Sequence, residues 1–265
     1  LSLDGPPQVH DHYRVDKAGN PSFGKVRHAA LTLLEHEVDV NALIVVNDHS
    51  VKYVEEIYAF HKDLGLSHMQ FIPCVEHGVK STDLATYTVS PEAYGEFLCR
   101  SFDLWVLDIE GLVGNTSIRF FDSVFRKYVG HPPADCTLLS NCGNYLTIEH
   151  DGGVYSCDFY VDSQNLLGNV NDVKMLDMLN SEQQVNFGSK KSILPQECQK
   201  CEWLALCRGG CPKDRILSGD GSGLHYLCKA FKLFFAHADK KYRTLAGEWQ
   251  VQQSENANNS NLKPD

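Results

Sequence analysis

Apolar positions set the first part of the chain out as alternating helices and strands. From Ser22 to about Glu37, Phe23, Val26, Ala29, Ala30, Leu33 and Leu34 recur at helical spacing, and the run from Val38 to Val46 that follows is β-branched and apolar. That is a helix feeding a buried strand. Val51, Val54, Ile57, Tyr58 and Leu64 mark a second helix, Gly65 stops it, and His68–Pro73 is a second strand. Ser90-Pro91-Glu92 supplies an N-cap and a first-turn proline for a helix reaching about Leu107, and a further helix covers roughly Ser117–Val129. Single helices between strands imply parallel β/α units, which place chemistry at the C-terminal ends of the strands. Leu1 to Pro6 reads as the end of a buried strand running into a loop, so an N-terminal portion is expected upstream of Leu1.

The periodicity stops at Gly130-His131-Pro132-Pro133, where a domain boundary is expected. Beyond it, Asn144–Glu149 and Val154–Asp158 flank Asp151-Gly152-Gly153, whose residues tolerate positive φ and mark a β-hairpin. Helices are expected near Val173–Phe187 and His225–Ala246. The Asn-, Gln- and Ser-rich stretch from Gln250 to Asp265 has little to bury and reads as disordered.

Composition narrows the classes. With 43% hydrophobic residues in 265, the chain can bury a core, so wholesale disorder is excluded. Its net charge of −10 and scattered Lys and Arg argue against binding nucleic acid or an anionic membrane. No apolar run is long enough for a membrane span and no export signal stands at Leu1, so a cytoplasmic location is expected.

Eight of the ten cysteines lie between Cys136 and Cys228: Cys136, Cys142, Cys157, Cys198, Cys201, Cys207, Cys211 and Cys228. Eight is two complete sets of four thiolates, and gaps as short as Cys198-Gln199-Lys200-Cys201 let neighbours converge on one metal centre. Spacing alone leaves two zinc sites and two iron–sulfur clusters equally open. Cys74 and Cys99 have no partners at ligand spacing and read as small buried hydrophobes.

The order of all eight intervals resembles the SPASM extension of radical SAM enzymes that modify peptides and proteins. Ser2-Leu3-Asp4-Gly5-Pro6, His12-Tyr13-Arg14-Val15, Gln70-Phe71-Ile72-Pro73-Cys74-Val75-Glu76, Tyr155-Ser156-Cys157-Asp158 and Cys207-Arg208-Gly209-Gly210-Cys211-Pro212 are similar to motifs of the anaerobic sulfatase-maturating enzymes in particular. The resemblance covers all but the polar tail. It implies an α/β chain: residues 1–130 as the C-terminal part of a partial (β/α)6 radical SAM barrel, 131–249 as a small cysteine-rich SPASM domain with a β-hairpin and helices, and 250–265 as a tail. The family's three-cysteine motif for SAM cleavage, upstream of the segment matching Ser2, is not in this sequence, so the chain alone is expected not to cleave SAM.

By the same resemblance, Cys136, Cys142, Cys157 and Cys211 hold one auxiliary 4Fe–4S cluster and Cys198, Cys201, Cys207 and Cys228 a second. Asp158 corresponds to the family's catalytic base, and strand alternation is expected to turn it away from the Cys157 thiolate. Ser2, Arg14 and Val75 match positions that contact S-adenosyl-L-methionine. The implied reaction oxidises a Cys or Ser of a sulfatase to Cα-formylglycine, with the sulfatase polypeptide and a flavodoxin or ferredoxin electron donor as partners. The rival readings are a SPASM enzyme that forms thioether or carbon–carbon cross-links, and a zinc-stapled interaction module. Half a barrel exposes strand edges and apolar faces, so poor solubility is expected of this stretch alone.

Overall fold

A computed structural model describes residues 1–76, 84–111, 116–215 and 223–260, with side chains to 256. Two compact units emerge: Leu1–Ala134 with Leu227–Asp265, and Asp135–Tyr226.

The first unit is built on parallel strands. β1 (Asn41–Val46) pairs with β2 (His68–Pro73) from Asn41↔His68 to Val46↔Pro73, and β2 pairs with β3 (Ser117–Ile118). Leu1–Leu3 extends the sheet beyond β1: Ser2 bridges Leu43 in parallel, and Leu3 is fully buried. Ala42, Ile44 and Val46 on β1, and Met69 and Phe71 on β2, point into the core, the alternation that one covered face imposes. The strands are joined through α1 (Phe23–Glu35), α2 (Val54–Leu64), α3 (Pro91–Glu110) and α4 (Arg119–Tyr128) in β/α order.

Local signals were obeyed where a single residue enforces them. α2 ends on Gly65 at φ 88°, its N–H donating to the His61 and Lys62 carbonyls, and only glycine adopts that geometry without strain. α3 starts where Ser90 Oγ accepts from the Ala93 N–H, with Pro91 in the first turn. Ser117–Ile118, read from the sequence as the start of a helix, is instead the two-residue strand β3, because pairing with His68 and Met69 outweighs helix propensity there.

The long C-terminal helix (Cys228–Ser260) packs on α3, and the sequence had grouped it with the cysteine-rich segment instead. The reason is an apolar stripe: Phe231, Phe234, Phe235, Ala238 and Tyr242 are buried, against Phe102, Trp105 and Phe121 of α3 and α4. Tyr242 Oη donates to the Phe121 carbonyl at 3.0 Å, which satisfies its hydroxyl inside the core. The same helix continues through 250–260, so that part of the polar tail is ordered; its exposed face needs no core, and no proline interrupts it. Residues 261–265 lie outside the described residues.

The two helices approach closely at Gly95, where a Cβ would stand 2.9 Å from Leu233 Cδ2 and 3.1 Å from the Ala230 Cα. The main chain of Ala230 cannot give way as a side chain can. Gly95→Val is therefore expected to destabilise this unit by about 1–3 kcal/mol through overpacking, read as a lowered denaturation midpoint with unchanged slope. An unchanged midpoint would contradict the close approach.

The second unit holds the hairpin, β4 (Thr147–Ile148) against β5 (Gly153–Tyr155), paired Thr147↔Tyr155 and Ile148↔Val154. A third strand, β6 (Leu166–Asn169), which the sequence did not suggest, adds antiparallel to β5. The single helix expected over Val173–Phe187 is two short ones, Met175–Leu179 and Glu182–Ser189. Ser181 breaks it by turning its hydroxyl to the Gln184 N–H, a new N-cap.

Candidate active site and cluster-binding cysteines

In the first unit, the expected SAM-contacting residues stand at the C-terminal ends of neighbouring parallel strands. Ser2 is exposed and precedes Asp4, whose carboxylate accepts from the Val45 N–H at 2.9 Å. Arg14 closes on that carboxylate from the other side, Nε to Oδ2 at 2.5 Å and Nη2 to Oδ1 at 3.1 Å, a forked pair that fixes the guanidinium plane. Arg14 is thus half of a partly buried ion pair.

His10 braces this arrangement. Its Nδ1 accepts from the Asp4 N–H at 3.2 Å, and its Nε2 faces Ser22 Oγ at 3.1 Å, while that hydroxyl donates to the Arg14 carbonyl at 2.6 Å. The hydroxyl proton being committed, Nε2 must carry the ring hydrogen, so the imidazole is neutral, and burial lowers its pKa below the ordinary value. Val75 is buried just past β2, beside Cys74, whose N–H donates to the Val46 carbonyl and whose carbonyl accepts from Val89. Cys74 and Cys99 are half-buried, and burial pushes the Cys99 thiol up to about 11. Near the same strand ends His12 stacks on His49 at 3.7 Å and Tyr13 donates to Asp48 at 2.8 Å, a group that sequence reasoning did not pick out.

In the second unit, four cysteines from four segments surround shared neighbours. Cys136 opens a 3₁₀ turn capped by the Asp135 carboxylate, and the Cys142 N–H donates to the Gly188 carbonyl. Cys157 follows β5, and Cys211 starts the turn Pro212–Asp214. Lys191 lies within electrostatic reach of Cys142, Cys136 and Cys211, Tyr160 of Cys211, Cys157 and Cys142, and Tyr145 of Cys136 and Cys157. Burial raises all four thiols, Cys157 to about 11 and Cys211 to about 12, so without metal they are neutral, and loading a cluster releases their protons.

The other set starts in a short helix, Gln196–Gln199, which carries the buried Cys198; Cys201 follows, its N–H donating to the Cys198 carbonyl. Cys207 ends the next helical turn. Three successive residues at positive φ, Arg208 at 54°, Gly209 at 76° and Gly210 at 64°, then redirect the chain before Cys211. That reversal separates Cys207 from Cys211, which the family pattern assigns to different clusters. Cys228 begins the C-terminal helix, in the other compact unit.

No disulfide joins any of the ten cysteines. Cys136, Cys142, Cys157 and Cys211 offer an all-thiol donor set, which suits an iron–sulfur cluster.

Asp158 corrects the alternation argument. β5 ends at Tyr155, so Cys157 and Asp158 sit in a turn, and the thiol lies 3.2 Å from Asp158 Oδ1 rather than on the opposite side. The carboxylate is exposed, and Tyr145 Oη donates to it at 3.0 Å while lying 3.3 Å from Cys157 Sγ. Tyr145 is held in turn: the buried Gln184 amide donates to the carbonyls of Gly143, Tyr145 and Ser156. Sequence reasoning did not name Tyr145; its place at the mouth of the predicted hairpin was the available signal.

Comparison with known proteins finds relatives over most of the chain. The SPASM iron–sulfur cluster-binding domain matches residues 136–202. The serine-type anaerobic sulfatase-maturating enzyme of Bacteroides thetaiotaomicron is 40% identical over 254 residues, covering 89% of this chain and 61% of that protein. The cysteine-type enzyme of Clostridium perfringens is 34% identical over 240 residues, 90% of this chain and 64% of its own length. The structure of native anSMEcpe with bound AdoMet and Cp18Cys peptide superposes with a TM-score of 0.85 at 32% identity, covering 94% of this chain and 69% of that one. Fold and cysteine pattern define the later β/α units of a radical SAM barrel together with a SPASM segment. The chain belongs to the anaerobic sulfatase-maturating enzyme family. It spans a little under two thirds of the curated relatives it matches.

Proposed function

We propose that the protein carrying this chain is a radical SAM oxidoreductase that converts an active-site Cys or Ser of a sulfatase polypeptide to Cα-formylglycine. The observation that carries the reading is an exposed carboxylate, Asp158, held by Tyr145 beside the Cys157 thiol, whose neighbours Tyr145 and Tyr160 are shared with Cys136, Cys142 and Cys211. When bound, SAM and the clusters supply hydrogen abstraction from the substrate Cβ and one-electron transfer. The residues of the chain bind and manage the proton. Asp158 accepts it from the substrate thiol or hydroxyl, and Tyr145 fixes the carboxylate oxygen that does not receive it. Arg14, its plane set by Asp4, and Ser2 are the polar contacts for the methionine and ribose parts of SAM, and the backbone at Val75 approaches the adenine.

Cys136, Cys142, Cys157 and Cys211 hold one cluster, and Cys198, Cys201, Cys207 and Cys228 the other. A flavodoxin or ferredoxin is the proposed electron donor and the cytoplasm the proposed location. Among the described residues no helix is long and apolar enough to cross a membrane. The test incubates the full-length protein anaerobically with SAM, reductant and a sulfatase-derived peptide, then traps the product with a hydrazide. A hydrazone at the Cys or Ser position is expected. A peptide that loses hydrogen without yielding a trappable aldehyde would replace this reading by cross-link formation.

A further inference from the structure

Lys191 and Arg215 are the lysine and arginine buried among the described residues, each only 1% exposed. Lysine and arginine are almost never buried to that degree without compensation. Lys191 Nζ donates to two main-chain carbonyls, Cys136 at 2.6 Å and Thr137 at 2.8 Å. Carbonyls orient an ammonium but do not neutralise it. The sulfurs within its reach, negative once they bind a cluster, are those of Cys142, Cys136 and Cys211, with the Asp135 carboxylate last. Arg215 is fixed as firmly, Nη2 to the Lys191 carbonyl at 2.9 Å, Nη1 to that of Ile193 at 2.9 Å and Nε to that of Gly209 at 3.2 Å. The sulfurs it faces are Cys198 and Cys207 from one set and Cys211 and Cys142 from the other. The two cations are linked through the Lys191 main chain, and both lie inside the Asp135–Tyr226 unit.

We propose that Lys191 and Arg215 are fixed counter-charges that raise the reduction potentials of the auxiliary clusters, Lys191 acting on the Cys136, Cys142, Cys157 and Cys211 cluster and Arg215 on both. The inference rests on the cluster reading above. Taking up one electron makes a thiolate-bound cluster one charge more negative, with no proton moved. A cation already held in place stabilises that reduced form, and burial keeps water and salt from screening it. Because carbonyls hold both cations, they cannot swing away when the charge changes. The cluster beside Asp158 is thereby made the better electron acceptor at the place where the substrate gives up its proton.

The test is a redox titration of the iron-reconstituted full-length protein, followed by electron paramagnetic resonance. Lys191→Gln keeps a donor for the two carbonyls and removes the charge. It is expected to retain iron and sulfide and to shift the reduction equilibrium of the Cys136 cluster at least about tenfold toward the oxidised form, about 59 mV for one electron. Lys191→Arg is expected to stay within about threefold of the parent, the charge being kept. Arg215→Gln lowers both potentials, and Arg215→Lys holds them. Unchanged potentials in an iron-replete Lys191→Gln protein overturn the proposal. So does iron loss in that variant with retention in Lys191→Arg, since Lys191 would then shape the site rather than tune it. Failure of the parent protein to take up iron would instead remove the cluster reading itself, before any variant is compared.

Discussion

Asp158→Asn is expected to lower kcat for formylglycine formation by about 10²- to 10⁴-fold, the range for loss of a positioned general base. The substitution keeps the shape of the side chain and an oxygen for the Tyr145 hydroxyl, now 3.0 Å away, but removes the ability to take a proton. Asp158 is exposed and lies at the end of the hairpin, so the fold does not depend on its charge and iron content is expected to stay at the parent level. The loss therefore falls on the step in which the substrate thiol or hydroxyl is deprotonated, while 5′-deoxyadenosine continues to form without matching product. Tyr145→Phe is expected to act in the same direction and less strongly, because the base remains and only its orientation is lost. Steady-state assays at saturating peptide, with 5′-deoxyadenosine and product counted separately, read both. An Asp158→Asn protein that retains more than about a third of the parent rate would exclude the assignment of the base.

The parts of this fold that could be read from sequence are those governed by one or two residues. The Gly65 stop, the Ser90-Pro91 start and the Asp151-Gly152-Gly153 hairpin each satisfy a local backbone requirement, and the chain obeys them. β3 was hidden because two residues carry no periodicity and acquire their state from β2. The placement of the Cys228 helix was hidden for a related reason. Its stripe of Phe231, Phe234, Phe235 and Tyr242 shows that it is covered but not by what, and its partners Phe102 and Phe121 lie more than a hundred residues earlier. Asp158 was picked by family likeness while its geometry was misjudged, since the strand expected to run to Asp158 ends three residues earlier, at Tyr155. Lys191 and Arg215 were illegible in principle: in a sequence they are ordinary surface cations, and only three-dimensional packing places them against the sulfurs.

Stripping iron from the protein with a chelator under anaerobic conditions is expected to unfold Asp135–Tyr226 and to leave the β1–β2–β3 unit folded. Among the described residues, the apolar side chains buried in the smaller unit are Leu138, Val154 and Met178, joined by Cys198. Burying such residues contributes about 1.5–3 kcal/mol each, whereas ordering the backbone costs about 1–2 kcal/mol per residue. That core cannot hold the unit by itself, and a metal cross-link between segments far apart in sequence is the remaining source. Its buried polar groups deepen the deficit: Lys191 and Arg215 are charged, Gln184 Oε1 accepts no hydrogen bond, and Asp214 Oδ1 accepts none either, the Lys213 ammonium standing 3.9 Å away. When the metal leaves, the four raised thiols protonate, so the counter-charge of Lys191 vanishes together with the cross-link. The larger unit has its own packed centre in Phe102, Phe121, Phe234 and Tyr242 and has no such dependence. Hydrogen exchange followed by mass spectrometry distinguishes the two responses. Amides of β4, β5, β6 and the Glu182–Ser189 helix are expected to approach the exchange rate of an unstructured chain after chelation, while those of β1, β2, α3 and the aromatic stretch of the C-terminal helix keep their protection. Persistent protection at Val154 and Tyr155 in iron-free protein would mean that the polar network around Gln184, and not the metal, holds this unit together.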